Sequence, residues 1–194
     1  LVKTTKVLSI ATVLGAAFAA SADARAQSVI RNPNDHPKYS VEVEPHGVLG
    51  WADLYTSSGF GLGGRFSIPI VDPGFIPTIN NNVAISFGID WVHYTGCYYA
   101  GTHCGADYFM FPVALQWNFW LTKQWSVFGE PGLFIYHGFY NNDFCNGLVG
   151  CSNPTVTSID PAFFVGARYH FNNRTALTMR VGYPYLSIGV SFFP

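Results

Sequence analysis

What most constrains this chain is a period of two that carries charge on one parity only. In YSVEVEPHGVLGW (39–51), Tyr39, Val41, Val43, Leu49 and Trp51 share one parity, while Ser40, Glu42, Glu44 and His46 share the other. The alternation recurs at 59–70, 83–94, 108–120, 125–137, 158–171, 174–183 and 185–194. Side chains of a strand point alternately to opposite faces, so the pattern predicts eight strands, each with one apolar and one polar face. No Asp, Glu, Lys or Arg falls on the apolar parity of any segment. Connections at 71–82, 121–124 and 172–173 fall at one end, with both termini. Those at 52–58, 95–107 and 138–157, and a turn near Pro184, fall at the other. The expected fold is all-β, an eight-stranded antiparallel up-and-down barrel.

Alternation alone suits a soluble barrel or its inverse, a barrel with lipid outside. The polar parity decides between them. It holds Glu42, Glu44, Arg65, Asp90, Glu130, Asp160, Arg168 and Arg180, together with Gly59, Gly61, Gly63, Gly88, Gly132, Gly166, Gly182 and Gly189. Eight strands enclose an interior just wide enough for side chains to fill, which suits the glycine-bearing face. The bulky apolar face then points outward into hydrocarbon, where one Arg at mid-bilayer would cost about 2–4 kcal/mol. Composition agrees: charged residues are 11% and aromatics 17% of the chain, against about 25% charged in ordinary soluble domains. No stretch after residue 20 reaches the roughly 20 apolar residues of a spanning helix. Tyr39, Trp51, Trp91, Phe109, Phe119, Trp125, Tyr169 and Tyr183 fall near strand ends, as an interfacial girdle would require.

At the N-terminus, Lys3 and Lys6 precede the apolar run 7–20, and Ala24-Arg25-Ala26 offers a small-x-small cleavage site. That is the layout of a secretory leader, so residues 1–26 are expected to be removed and 27–194 to form the barrel. Cys97 and Cys104, and Cys145 and Cys151, each close a short loop, so two local disulfides are favoured among three pairings. A zinc site using His103 fits poorly, because neither spacing matches the usual ligand pattern. No metal and no cofactor are expected. A net charge of −1 leaves no basic footprint for nucleic acid. The string GFGLGG (59–64) lacks the strand-to-helix context of a phosphate loop.

Strand number, inverted alternation, leader and the aromatic last strand YLSIGVSFFP (185–194) together resemble the small eight-stranded outer-membrane barrels of Gram-negative bacteria, the OmpA/OmpX-type group. The resemblance implies export through the periplasm to the bacterial outer membrane. It implies contact with membrane lipid and lipopolysaccharide, and a monomeric state. It also implies recognition by the barrel-assembly machinery, with Tyr185, Gly189, Phe192 and Phe193 as the terminal signal and Pro194 as a departure from it. The expected role is structural or surface-interacting and not enzymatic, with the charged parity plugging the lumen. The alternatives are a narrow, porin-like pore for small solutes and a lipid A acyl-modifying enzyme. For the latter, His93, His137 and Ser158 are the candidates.

Overall fold

A sheet of such strands leaves two unpaired edges unless it closes on itself. It closes. The computed structural model describes residues 28–50, 58–99, 102–142 and 155–194. The eight strands are β1 (Glu42–Gly50), β2 (Ser58–Val71), β3 (Asn81–Tyr99), β4 (Thr102–Trp120), β5 (Trp125–Asn142), β6 (Thr155–Asn172), β7 (Thr175–Tyr183) and β8 (Tyr185–Phe192). Each pairs antiparallel with its sequence neighbours, and β8 returns to β1, with Val43 opposite Phe192 and Gly50 opposite Tyr185. The expected leader, Trp51, Cys145 and Cys151 lie outside the described residues.

Two connections are shorter than the sequence implies. The strands run on into 95–107 and 138–157: β3 reaches Tyr99, β4 starts at Thr102, β5 reaches Asn142 and β6 starts at Thr155. Turn-forming residues there do not interrupt the ladder, because the neighbouring strand continues to supply hydrogen-bond partners.

The parity assignment holds along the walls. Phe60, Leu62, Ile89, Phe111, Val113, Leu133, Ile135, Phe163, Val165 and Val181 are exposed on the outside. Glu42, Glu44, Arg65, Asp90, Glu130, Arg168 and Arg180 are buried inside. On β3 the run from Val83 to Trp91 matches the roughly 9–11 residues that a tilted strand needs to cross hydrocarbon. At the short-turn end Trp125 packs edge-on to Tyr169, which packs edge-on to Phe171, in an outer aromatic belt.

Parity fails at the same end for Tyr39 and Val83. Tyr39, expected outside, instead packs edge-on against Phe193 and receives a hydrogen bond from Asn82 at 3.5 Å. It precedes β1, where no ladder fixes its direction. Val83 is buried although its parity is outward. It sits in register between Val71 and Trp117, where Phe75 of the β2–β3 connection packs on Trp117.

The segment 28–41 straps across the short-turn mouth. The Val29 amide donates to the Leu121 carbonyl at 2.9 Å, the Asn80 amide donates to the Ile30 carbonyl at 2.7 Å, and Lys38 pairs with Asp72 at 2.8 Å. Val113 is half-exposed in the middle of the outer band, in register with Phe87 and Leu133. Val113→Arg is therefore expected to destabilise the barrel in lipid vesicles by about 2–4 kcal/mol, read from the denaturant midpoint of unfolding.

Candidate functional site

The lumen is built in three layers, each set by what the inward parity carries. The middle layer is charged. Arg180 spends its whole guanidinium on two carboxylates: Nε donates to Glu130 Oε2 at 2.8 Å, Nη1 to Glu44 Oε1 at 2.8 Å, and Nη2 to Glu44 Oε2 at 3.0 Å and Glu130 Oε1 at 3.2 Å. Arg65 reaches the other side of Glu130 through Nη1 at 3.3 Å and donates from Nη2 to the Tyr185 hydroxyl at 2.8 Å. Tyr185 in turn donates to Asp90. Gln116 adds a third donor to Glu130 at 2.6 Å. Such planar, bidentate pairing is what the guanidinium fork provides.

A second centre lies toward the short-turn end. Arg168 grips Glu42 with Nε at 2.9 Å and Nη2 at 2.7 Å, and its Nη1 donates to Asn118 at 2.7 Å. Ser191 donates to Glu42 at 2.6 Å. The like charges of Arg168 and Arg180 are kept apart by the Phe128 ring, which lies 4.2 Å from one guanidinium carbon and 5.2 Å from the other. Ring faces attract cations, so one phenyl group serves both. Gly166, opposite Phe128 in register, makes room for that ring; a Cβ there would run into it.

Four buried carboxylates thus face three guanidiniums. The remaining partner is His46. Its Nε2 is 2.8 Å from Asp90 Oδ1, and its Nδ1 is 3.2 Å from the Glu44 carbonyl and 3.4 Å from Glu44 Oε1. Both ring nitrogens face acceptors.

Asp160 does not join the network. It lies on the inward parity but opposite Phe134, well toward the loop end, and is only partly buried. Parity fixes the face of a residue and not its depth, which is why the sequence grouped it with the others.

The layer toward the loop end is apolar, contrary to the expectation of a uniformly small and polar inner face. Val48, Val92, Tyr94, Met110, Phe134, Phe164 and Tyr185 form one buried cluster there, with Tyr108 and Tyr136 against it. Gly50 and Gly59 leave space for the Tyr94 ring, and Gly182 for Phe164. The inner glycines are the complement of inner aromatics, a pairing that shows only when strands are set side by side.

The third layer closes the short-turn mouth with rings. His36 stacks on Trp120 at 5.3 Å, Trp120 lies 4.7 Å from His170, His170 lies 5.6 Å from Phe193, and Phe193 meets Tyr39 at 5.0 Å. Burial, and after it the charge of Glu42, pushes the Tyr39 phenol well above its ordinary range. Of the residues expected to form the terminal signal, Phe192 is outward and half-exposed, whereas Phe193 and Tyr185 are buried. Gly189 lies opposite His46.

The residues considered for catalysis are not assembled. His137 is outward and bonds Thr157 at 2.6 Å, while Ser158 pairs with Tyr136 on the inward parity. His93 is also outward, 2.9 Å from Asp107. Asp107 was missed by the sequence reading because it lay in a presumed loop. Continuing the parity of 108–120 by one residue would have placed it on the outer face. Among the described residues no three His, Cys, Asp or Glu are placed to hold a metal. The backbone sets Cys97 directly opposite Cys104 across the β3–β4 ladder.

No family model matches this sequence, and no curated protein does. Solved structures match by shape. Neisserial surface protein A is 15% identical with a TM-score of 0.52, the match covering 79% of this chain and 96% of that one. The attachment invasion locus protein Ail of Yersinia pestis, in complex with the heparin analogue sucrose octasulfate, is 11% identical with a TM-score of 0.49, covering 79% and 96%. The N-terminal β-barrel domain of Pseudomonas aeruginosa OprF is 16% identical with a TM-score of 0.41, covering 80% and 97%. The likeness is one of fold, the small eight-stranded barrel.

Removing one member of a buried charge network strands the others. Glu130→Ala leaves Arg65 without its carboxylate contact of 3.3 Å and Arg180 with Glu44 as its one carboxylate partner. It is expected to cost about 3–5 kcal/mol in reversible unfolding from lipid, with Glu130→Gln costing less.

Proposed function

We propose that this chain is an integral outer-membrane barrel whose lumen is a structural plug and whose working surface is its outside and its loop end. One observation carries the reading: Glu42, Glu44, Arg65, Asp90, Glu130, Arg168 and Arg180 are all buried and paired with one another, between an apolar layer above and a ring-lined closure below. An unpaired charge that titrates or binds an ion would be expected of a conduit, whereas a closed set of pairs fills space. In this reading residues 1–26 are the export leader, the short-turn end faces the periplasm, and the aromatic end of β8 is read by the assembly machinery.

The role is structural or surface-interacting, and the barrel works as a monomer. The hairpins β3–β4 and β5–β6 carry the recognition surface, with Tyr98, Tyr99, Phe139 and Tyr140 near their tips. Exposed loops on a rigid scaffold are a common place for binding residues.

Two measurements check this. Refolded protein in planar bilayers is expected to give no steady unitary conductance; a reproducible current would replace the plug by the narrow-pore reading. Cys97–Cys104 and Cys145–Cys151 are proposed as disulfides of the exported protein. Alkylation without reductant is then expected to add no mass to the wild type, and one alkyl group to Cys97→Ser, at Cys104.

A further inference from the structure

The outer wall carries a polar cluster that breaks its apolar rule. His93 on β3 and Asp107 on β4 are register partners, with His93 Nδ1 2.9 Å from Asp107 Oδ1. Trp91 Nε1 donates to the same oxygen at 3.1 Å. Both side chains remain partly exposed, 29% and 38%. In the tautomer that gives Nδ1–H to Asp107, Nε2 is an acceptor. The second carboxylate oxygen is an acceptor as well. A cluster of acceptors at the edge of an apolar band calls for a partner that donates.

One strand away the wall has a groove. It measures about 290 Å³ and is lined by Gly47, Leu49, Phe60, Leu186 and Ile188, with the backbone of β1 and β2 behind. It exists because Gly47 is small: a Cβ there would meet nothing nearer than the Ile188 carbonyl oxygen at 3.9 Å. Phe60 separates groove from cluster. It lines the groove, is opposite His93 in register, and packs its ring edge-on to the imidazole with centroids 5.7 Å apart. An apolar furrow and a pair of acceptors therefore share one wall.

We propose that these two features form one lipid site. The groove takes a single acyl chain, and His93 with Asp107 receives N–H and O–H groups at the base of that chain. An ester-linked chain has only acceptors at that depth and meets acceptors. A chain joined through an amide and bearing a 3-hydroxyl has two donors there. The occupant is lipid A, through one of its amide-linked 3-hydroxyacyl chains. This rests on the reading of the outer wall as membrane-embedded, with the loop end in the outer leaflet.

The test uses the full mature chain, refolded in detergent. Heat-modifiable migration and dependence of folding on detergent are scored first; a chain that stays folded and monomeric without detergent defeats the membrane reading itself. Native mass spectrometry then counts lipid retained from an equimolar mixture of lipid A and phosphatidylethanolamine, with ceramide, which also carries an amide N–H and a hydroxyl, in a separate arm. The wild type is expected to retain one lipid A in preference to phosphatidylethanolamine by roughly tenfold or more. Ceramide is expected to be retained above phosphatidylethanolamine. Gly47→Phe, which fills the groove, and His93→Ala are each expected to lose that preference. Gly129→Phe, at an outward glycine that also has open space, is the control and is expected to keep it. If Gly47→Phe fails to fold, Gly47→Val takes its place. Equal retention of both lipids by folded wild type overturns the proposal. So does unchanged preference in folded Gly47→Phe and His93→Ala, or an equal loss in Gly129→Phe.

Discussion

The barrel depends on Glu130. Its two oxygens receive donors from Arg65, Arg180 and Gln116, contributed by β2, β7 and β4 to a carboxylate on β5. Arg180 continues the chain to Glu44 on β1. Glu130 and Arg180 together thus tie five of the eight strands across the interior, independently of the backbone ladder that ties them around the rim. Inside a membrane no water reaches a stranded charge, so each member is held by the others. The network also fixes register. Slipping a strand by one residue would turn its charges into lipid and its phenylalanines inward. Slipping by two would keep the faces but break the bidentate contacts at Glu44 and Glu42.

Layering strengthens those contacts. The charged middle is capped by Tyr94, Met110, Phe134 and Phe164 on one side and by Trp120, His170 and Phe193 on the other. Both caps exclude solvent, and ion pairs screened less by water interact more strongly. The caps need the glycines. Gly50 and Gly59 admit Tyr94, Gly166 admits Phe128, and Gly182 admits Phe164. The aromatic content of the chain is therefore shared between the lipid face and the lumen.

The fold was legible in the sequence because its cause is local. Strict alternation with charge on one parity states which face each residue takes, and the closed barrel follows from having eight such strands. The charged residues of the candidate site were legible for the same reason, apart from Asp160. What the sequence hid is what depends on depth and on neighbours across the sheet. Asp160 shares a parity with Glu130 but not a level. Tyr39 obeys no parity because it precedes the first ladder. Phe128 and Phe134 sit among polar and small residues of their own strand, and their role as a cation platform and as part of the upper cap comes from β6, β7 and their neighbours. Asp107 and His93 meet only because β3 and β4 run on past the point where turn-forming residues suggested a loop.

That extension makes the wall uneven, and the unevenness bears on where the molecule can act. Strands β3 to β6 are 18 or 19 residues long, whereas β7, β8 and β1 are 9, 8 and 9. β7 and β8 meet at the tight turn of Pro184, so the difference in length falls at the loop end, as a low side beside the tall strands β3 to β6. On one flank Phe60 of β2 stands between Leu49 of β1 and His93 of β3. With the lumen proposed as a plug, the outside is the surface on which a partner would meet the barrel. On this flank an apolar surface, the missing side chain at Gly47 and the His93–Asp107 pair lie on adjoining strands β1 to β4, with Phe60 between them. Here the apolar band has both a furrow and hydrogen-bonding groups beside it, which gives it the shape and the polarity to choose one lipid.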